Sequence, residues 1–220
     1  MSGSHFSESE RELLYRVMRE RRDTRHFIAN SKIDDEVLGR ILSAAHTAPS
    51  VGLMQPWRFI QIKQSALRES VIALVDAERV ETAKQLGERE TEFLRLKVEG
   101  LRECAAVIAV VQAPDDGTVF GRRTMPDEMA LCSTACAIQN MWLASRVENV
   151  GMGWVSLFDP VDLAKLLACP IGAKPIALLC IGPVSEFYAR PMLEQEGWRQ
   201  GKALQHFIFE DVWPEFVECE

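Results

Sequence analysis

Ala105-Ala106-Val107-Ile108-Ala109-Val110-Val111 is an unbroken apolar run rich in β-branched side chains. A strand with one wet face alternates polar and apolar residues, so an uninterrupted run of this length marks a strand covered on both faces. Pro114-Asp115-Asp116-Gly117 closes it with turn-forming residues.

Helices must supply those two covers. Downstream, Pro126 to Asn149 forms a long helix, opened by Pro126 and Asp127 and apolar almost all round through Met129, Leu131, Cys132, Ala135, Ile138, Met141, Trp142 and Leu143. Such a helix is expected to be buried on every side, within the domain or against a second subunit. Gly151 ends it, and a strand over Gly153–Phe158, a short helix over Pro160–Leu167 and a buried strand over Pro175–Ile181 follow.

Upstream, Ser7 and Glu10 have the spacing of a capping box before a helix with Leu13, Leu14 and Val17 on one face. Asp34 caps a second helix, carried by Val37, Leu38, Ile41, Leu42 and Ala45 and stopped by Pro49. Trp57 to Lys63 alternates as a strand. Ser65–Leu86 and Glu88–Glu103 read as two charged amphipathic helices, expected to cover a site without forming the core. The order is mixed α and β, an α+β arrangement with helices on both sides of a sheet.

The 220 residues are 47% hydrophobic and 26% charged, which suits one folded domain over 1–220. A net charge of -7 argues against a general polyanion surface, so nucleic acid is a poor partner. The first residues lack a basic segment followed by an apolar one, and no apolar stretch is long enough to cross a membrane; a soluble cytoplasmic protein is expected. The six cysteines contain no CxxC pair, and most sit in apolar runs as small buried hydrophobes. Cys132 and Cys136 share a helix face, but no histidine stands near them and the four histidines form no ligand pattern, so no metal is expected. After Pro183 the chain carries Tyr188, Trp198 and the Phe207–Phe209 segment without a regular period, too apolar for a free tail. Its natural cover is a second copy of the chain, and a homodimer is expected.

Arg21-Arg22-Asp23-Thr24-Arg25 places one carboxylate among three guanidiniums. Planar donors this close suit a phosphate, and they also suit a solvated basic helix end. The Ala48–Trp57 loop, with Ser50 and Gln55 in it, is rich in turn formers and hydrogen-bonding groups and is read as facing a ligand. Gly151-Met152-Gly153-Trp154-Val155-Ser156 is not a dinucleotide fingerprint, but its glycines would let backbone approach a flat ligand, with Ser156 as a hydroxyl at that surface. No serine-hydrolase elbow is present. Together with a late Arg199, these groups suggest a phosphorylated planar cofactor whose ring performs the chemistry.

The Arg21–Phe27 run, Ala48-Pro49-Ser50 with Gln55-Pro56-Trp57, Gly153-Trp154-Val155-Ser156 and Gly197-Trp198-Arg199-Gln200 resemble the nitroreductase-like flavoproteins, and within them the 5,6-dimethylbenzimidazole synthase branch. Flavin reductases and iodotyrosine deiodinases share the arginine frame but commonly carry serine where Asp23 stands. The resemblance implies a mostly antiparallel sheet flanked by helices, and an extension from about residue 184 exchanged in a homodimer. It further implies that reduced FMN is the substrate, broken apart with O2 to 5,6-dimethylbenzimidazole and erythrose 4-phosphate; a separate NAD(P)H-dependent flavin reductase is one candidate source of the reduced FMN, and direct NAD(P)H binding stays open.

By position, Arg21, Arg22 and Arg25 with Arg199 would hold the phosphate and ribityl chain, with Asp23 and Thr24 also among the cofactor-binding residues. Ser50, Gln55, Trp154, Val155 and Ser156 would line the flavin at the dimer interface, and helices within 65–103 would form a lid. Asp23 and Ser156 would be the catalytic pair, Asp23 as a base kept ionised by the arginines and Ser156 as a hydrogen-bonding group to the flavin. Two other readings are an NAD(P)H-dependent reductase or dehalogenase that returns FMN intact, and a flavin carrier without catalysis.

Overall fold

The computed structural model describes residues 5–214, so the sixth cysteine, Cys219, lies outside the described part. The chain divides into two compact units, one ending at Ala189 and the other beginning at Arg190. The first holds the sheet. Its elements are α1 (Glu8–Glu20), α2 (Asp35–His46), β1 (Trp57–Gln61), α3 (Ser65–Gln85), α4 (Glu90–Arg95), β2 (Ala106–Gln112), α5 (Pro126–Val147), β3 (Gly151–Val155), α6 (Pro160–Leu166) and β4 (Lys174–Gly182). The second unit carries α7 (Met192–Gln195) and a short 3-10 turn (Leu204–Phe207).

The strands lie in the order β1-β2-β4-β3, each hydrogen-bonded neighbour antiparallel. β2 and β4 are the two central strands, which is why the 106–111 run is apolar throughout. Side chains of a strand alternate between faces, and here the alternation sorts the core into two layers. Ile108, Val110, Leu179 and Ile181 meet Leu38 and Ile41 of α2 and Ile138 and Met141 of α5 on one face. Val107, Ala109, Leu178 and Cys180 meet Val71, Ile72 and Val75 of α3 and Leu163 of α6 on the other. Each fully buried aliphatic side chain in these layers contributes about 1.5–3 kcal/mol.

The capping signals are realised. Ser7 and Glu10 close their capping box, the Asp34 carboxylate accepts from the Glu36 amide at 2.7 Å, and Asp159 caps α6 through the Val161 and Asp162 amides.

Several expectations need correction. The segment 65–103 enters the core, because Val71 and Val75 are almost wholly buried beneath the sheet. The helix expected over Glu88–Glu103 is only the six residues of α4; Leu96 leaves it in extended backbone, and Leu101 is completely buried. A Cβ at Gly100 would lie 2.3 Å from the Phe27 ring, so the segment passes Phe27 as close-packed loop. The third strand spans Gly151–Val155, ending before Ser156, where a turn leads into α6.

Helix α5 is buried on one face only within the single chain. Ala137, Ile138 and Met141 are covered, whereas Leu131 and Val147 are 43% and 58% exposed, beside Cys132 and Cys136, also exposed. Of the five described cysteines only Cys104 and Cys180 are fully buried.

Candidate active site

Helix α1 stops at Arg21, whose amide still donates to the Val17 carbonyl at 2.9 Å. The chain then turns extended, and Arg21–Arg25 runs as a strap along the free edge of β3, with a parallel bridge between Asp23 and Met152. The buried Thr24 donates its amide to the Met152 carbonyl at 3.0 Å. Gly153 makes this possible: a Cβ there would lie 2.1 Å from the Thr24 carbonyl oxygen. The close approach that the glycine permits is therefore used by the strap and not by a flat ligand.

The strap fixes Asp23. Its Oδ1 accepts the Trp154 backbone N–H at 2.9 Å, and its Oδ2 pairs with the Arg25 guanidinium. Arg25 Nη2 donates in turn to the Trp154 carbonyl at 2.8 Å, so Asp23, Arg25 and Trp154 close on one another. Burial pushes the Asp23 carboxyl above the usual carboxylate range; the Arg25 charge, the Trp154 N–H and the Arg21 charge pull it down without offsetting the burial. This corrects the expectation that the arginines dominate and hold the group low. The side chain still keeps 36% of its surface open, enough for a ligand to touch it.

The other two guanidiniums are held separately. Arg21 lies over the Trp142 ring at 4.7 Å from its centroid, a cation–π contact, and burial pulls its pKa down against the attraction of Asp23, with the neighbouring Arg22 charge as a smaller cause in the same direction as burial. Arg22 donates through Nη1 to the Arg19 and Arg21 carbonyls at 2.6 and 2.8 Å and through Nη2 to Ala189 at 2.9 Å. Arg22 Nε and Arg25 Nη1 are buried donors with no hydrogen-bond partner among the described residues.

Two residues outside the sequence motifs complete the strap. Trp142, read above only as part of an apolar helix, donates its indole N–H to the Met152 carbonyl at 2.9 Å and the Arg22 carbonyl at 3.2 Å. A tryptophan in a buried helix needs a partner for that donor, which is the signal available in the sequence. Tyr188 accepts the Arg25 and His26 backbone N–H groups at 3.2 and 3.1 Å, with its hydroxyl 2.6 Å from His26 Nδ1. No local pattern marks a contact spanning some 160 residues.

Trp154 is half-buried and packs on the α2/α5 layer, its ring 6.2 Å from that of Trp142. Val155 sends its side chain into the opposite layer, leaving only backbone for a ligand. Ser156, just past the strand end, is exposed, and its hydroxyl has no partner among the described residues.

The Ala48–Trp57 loop is organised independently. Ser50 Oγ accepts the Gln55 amide at 3.1 Å, and Ser133 Oγ accepts the Val51 amide at 3.2 Å. Leu53 and Gln55 both hold positive φ (54° and 44°), a conformation costing non-glycine residues of order 1–3 kcal/mol and concentrated at functional sites. Gln55 lines a cleft of about 400 Å³ with His46, Trp57 and Arg58. Among the described residues no hydrogen bond or ion pair joins this loop to the strap. Arg199 belongs to the second unit and is exposed. No group of three His, Cys, Asp or Glu residues among those described is placed to hold a metal ion.

The nitroreductase family model matches residues 18–183, from the end of α1 to the end of β4, and so takes in the strap and the entire sheet. The chain belongs to the nitroreductase family. This nitroreductase-family chain is 39% identical over 201 residues to the 5,6-dimethylbenzimidazole synthase of Rhodospirillum rubrum, an alignment covering 90% of the chain and 94% of that relative. Among solved structures, iodotyrosine deiodinase bound to FMN and 3-iodo-L-tyrosine superposes with a TM-score of 0.70 at 18% identity, covering 91% of the chain and all of that structure. A BluB-like flavoprotein from Clostridium difficile 630 gives 0.67 at 17% identity, over 89% of the chain and 97% of that structure. These two likenesses show the fold, the expected antiparallel sheet flanked by helices.

Proposed function

We propose that the chain is a 5,6-dimethylbenzimidazole synthase: it fragments reduced FMN in an O2-dependent reaction to 5,6-dimethylbenzimidazole, the lower-ligand base of cobalamin, and D-erythrose 4-phosphate. The observation that carries this reading is the Asp23 carboxylate, held between the Trp154 amide and Arg25 with its pKa raised by burial and a third of its surface open. The Rhodospirillum relative's identity over nearly its full length supports the same reading.

The strap fits a flavin phosphate. Three guanidiniums against one carboxylate leave an excess of positive charge, and the orphaned Arg22 Nε and Arg25 Nη1 donors lack a partner that an anion or ribityl hydroxyl would supply. Arg21 and Arg22 bind the phosphate end, while Thr24, buried against β3, holds the strap in place. FMN supplies the redox-active ring and is itself consumed.

Cleaving the ribityl chain requires a proton to leave C1′ or a neighbouring hydroxyl. Asp23 accepts it, and a carboxylate with a raised pKa is a stronger base at neutral pH than an ordinary one. Arg25 and the Trp154 N–H stabilise the ionised form that must be present beforehand. Ser156, exposed and uncommitted, donates to the flavin ring, and Ser50, Gln55 and the Trp154–Val155 backbone complete its lining.

The flavin site is shared by two copies, with one flavin domain per chain and the extension from about residue 184 embracing the partner copy. The exposed α5 face around Cys132, Cys136 and Val147 supports a second copy there. The α4 end of 65–103 serves as the cover over the site. Electrons reach FMN through a separate NAD(P)H-dependent flavin reductase. No helix among the described residues is long and apolar enough to cross a membrane.

The test is flavin turnover. Protein isolated without bound flavin should consume added reduced FMN in air with irreversible loss of the flavin absorbance. Full return of oxidised FMN, or a tightly held yellow cofactor reduced by NADPH, would instead indicate a reductase or dehalogenase.

A further inference from the structure

A second polar cavity lies where β1 ends and β2 begins. It is a cleft of about 400 Å³, within the size range of small-ligand sites, lined among others by Ser31, Lys32, Asp35, Gln61, Lys63 and Arg68. The strand order β1-β2-β4-β3 places it at the opposite edge of the sheet from the strap, three strand spacings or about 14 Å away. It is therefore separate from the Asp23 site.

Its electrostatics are one-sided. Lys32, Lys63 and Arg68 bring three positive charges against the single Asp35 carboxylate, an excess of two, and among the described residues no ion pair within 4 Å neutralises either lysine. Arg68 is rigidly placed: Nε donates to the Leu101 carbonyl at 2.7 Å and Nη2 to the Cys104 carbonyl at 2.6 Å, leaving Nη1 uncommitted. Ser31 Oγ is buried and has no hydrogen-bond partner among the described residues, a state that is unfavourable unless a ligand or water satisfies it. A fixed guanidinium, two unpaired ammonium groups and an orphaned hydroxyl around one cavity are the donor set of a doubly charged anion, and the volume exceeds what a bare ion fills.

We propose that this cleft is a binding site for a small phosphate monoester, with the dianionic phosphate between Lys32, Lys63 and Arg68 and Ser31 Oγ donating to it. Gln61, at the end of β1, faces the organic part of the ligand. Inorganic phosphate shares the recognised group, and the rest of the cleft distinguishes an ester from the free ion.

The full chain is titrated with inorganic phosphate and with ribose 5-phosphate at constant ionic strength, by calorimetry and by amide chemical-shift mapping. Saturable binding, at least about threefold tighter for the ester and with the largest shifts at the Ser31 and Gln61 amides, is the expected result. The K32Q/K63Q protein, altered only at exposed side chains and checked by thermal melting, should bind at least about tenfold more weakly. Absence of saturable binding at 10 mM (about 2.7 kcal/mol of binding free energy), shifts centred on Asp23 and Trp154, or unchanged affinity in K32Q/K63Q would each overturn the proposal.

Discussion

The Trp154 backbone N–H meets Asp23 Oδ1 at 2.9 Å, joining two residues 131 positions apart and locking the carboxylate to the edge of β3. The same carboxylate carries the Arg25 pair, so its orientation is fixed from two sides while part of it stays open. Asn in its place retains the oxygen that accepts from Trp154 and loses the ion pair with Arg25, while the strap keeps its Thr24 bond to Met152.

Asp23→Asn is therefore expected to bind FMN within a few-fold of wild type and to form 5,6-dimethylbenzimidazole some 10²–10⁴-fold more slowly, the span typical of a lost general base. Product chromatography under single-turnover conditions with reduced FMN checks this.

The sign of the Asp23 shift also gives a pH dependence. Its folded-state pKa is raised, so the folded chain holds the proton more tightly than the unfolded chain, whose carboxyl titrates near ~3.9. Ionisation thus lowers stability at neutral pH, and that cost vanishes as pH falls below the unfolded value. As pH rises from the unfolded carboxyl value towards the raised folded one, the melting temperature of wild type should fall relative to Asp23→Asn, and the acid limb of the turnover profile should lie above the ordinary carboxylate range. A wild type that gains on the Asn variant with rising pH would contradict the assignment.

Gly153→Ala places a methyl group against the Thr24 carbonyl. Displacing the strap should cost about 1–3 kcal/mol, lowering Tm by roughly 3–10 °C, with loss of turnover. Differential scanning calorimetry measures the first effect and flavin consumption the second.

Ser156→Ala should behave in the opposite way. The hydroxyl is exposed and makes no bond within the described chain, so stability should stay within about 0.5 kcal/mol of wild type while turnover falls. A large loss of Tm would show that Ser156 is structural.

Tyr188→Phe leaves the Arg25 and His26 amides without their acceptor, an expected cost of about 1–3 kcal/mol if water does not replace it. Because Arg25 holds Asp23, the KM for reduced FMN should rise as well; unchanged Tm and KM would remove Tyr188 from the strap's support.

The fold was legible where burial writes itself into composition. The 105–111 run announced a central strand because both of its faces lie under helices, and Ser7, Asp34 and the Pro126 start marked helix ends through local hydrogen-bond chemistry. The α4 region misled because its amphipathic spacing persists through Leu96 and Leu101 although the backbone leaves the helix at Leu96. Burial of Val71 and Val75 under the sheet has no local marker distinguishing it from a covering helix. At the site, the Arg21–Arg25 motif was visible, but the raised Asp23 pKa depends on how deeply the fold walls the carboxyl, and the hold of Trp142 and Tyr188 on the strap rests on contacts to Arg22, Arg25 and His26, 120 or more residues away.

Mass spectrometry of the products formed from chemically reduced FMN and air is the most direct measurement of whether the flavin is destroyed. Wild-type protein is expected to yield 5,6-dimethylbenzimidazole together with erythrose 4-phosphate, and Asp23→Asn almost none. Recovery of only intact FMN and hydrogen peroxide from the wild type would contradict the assignment.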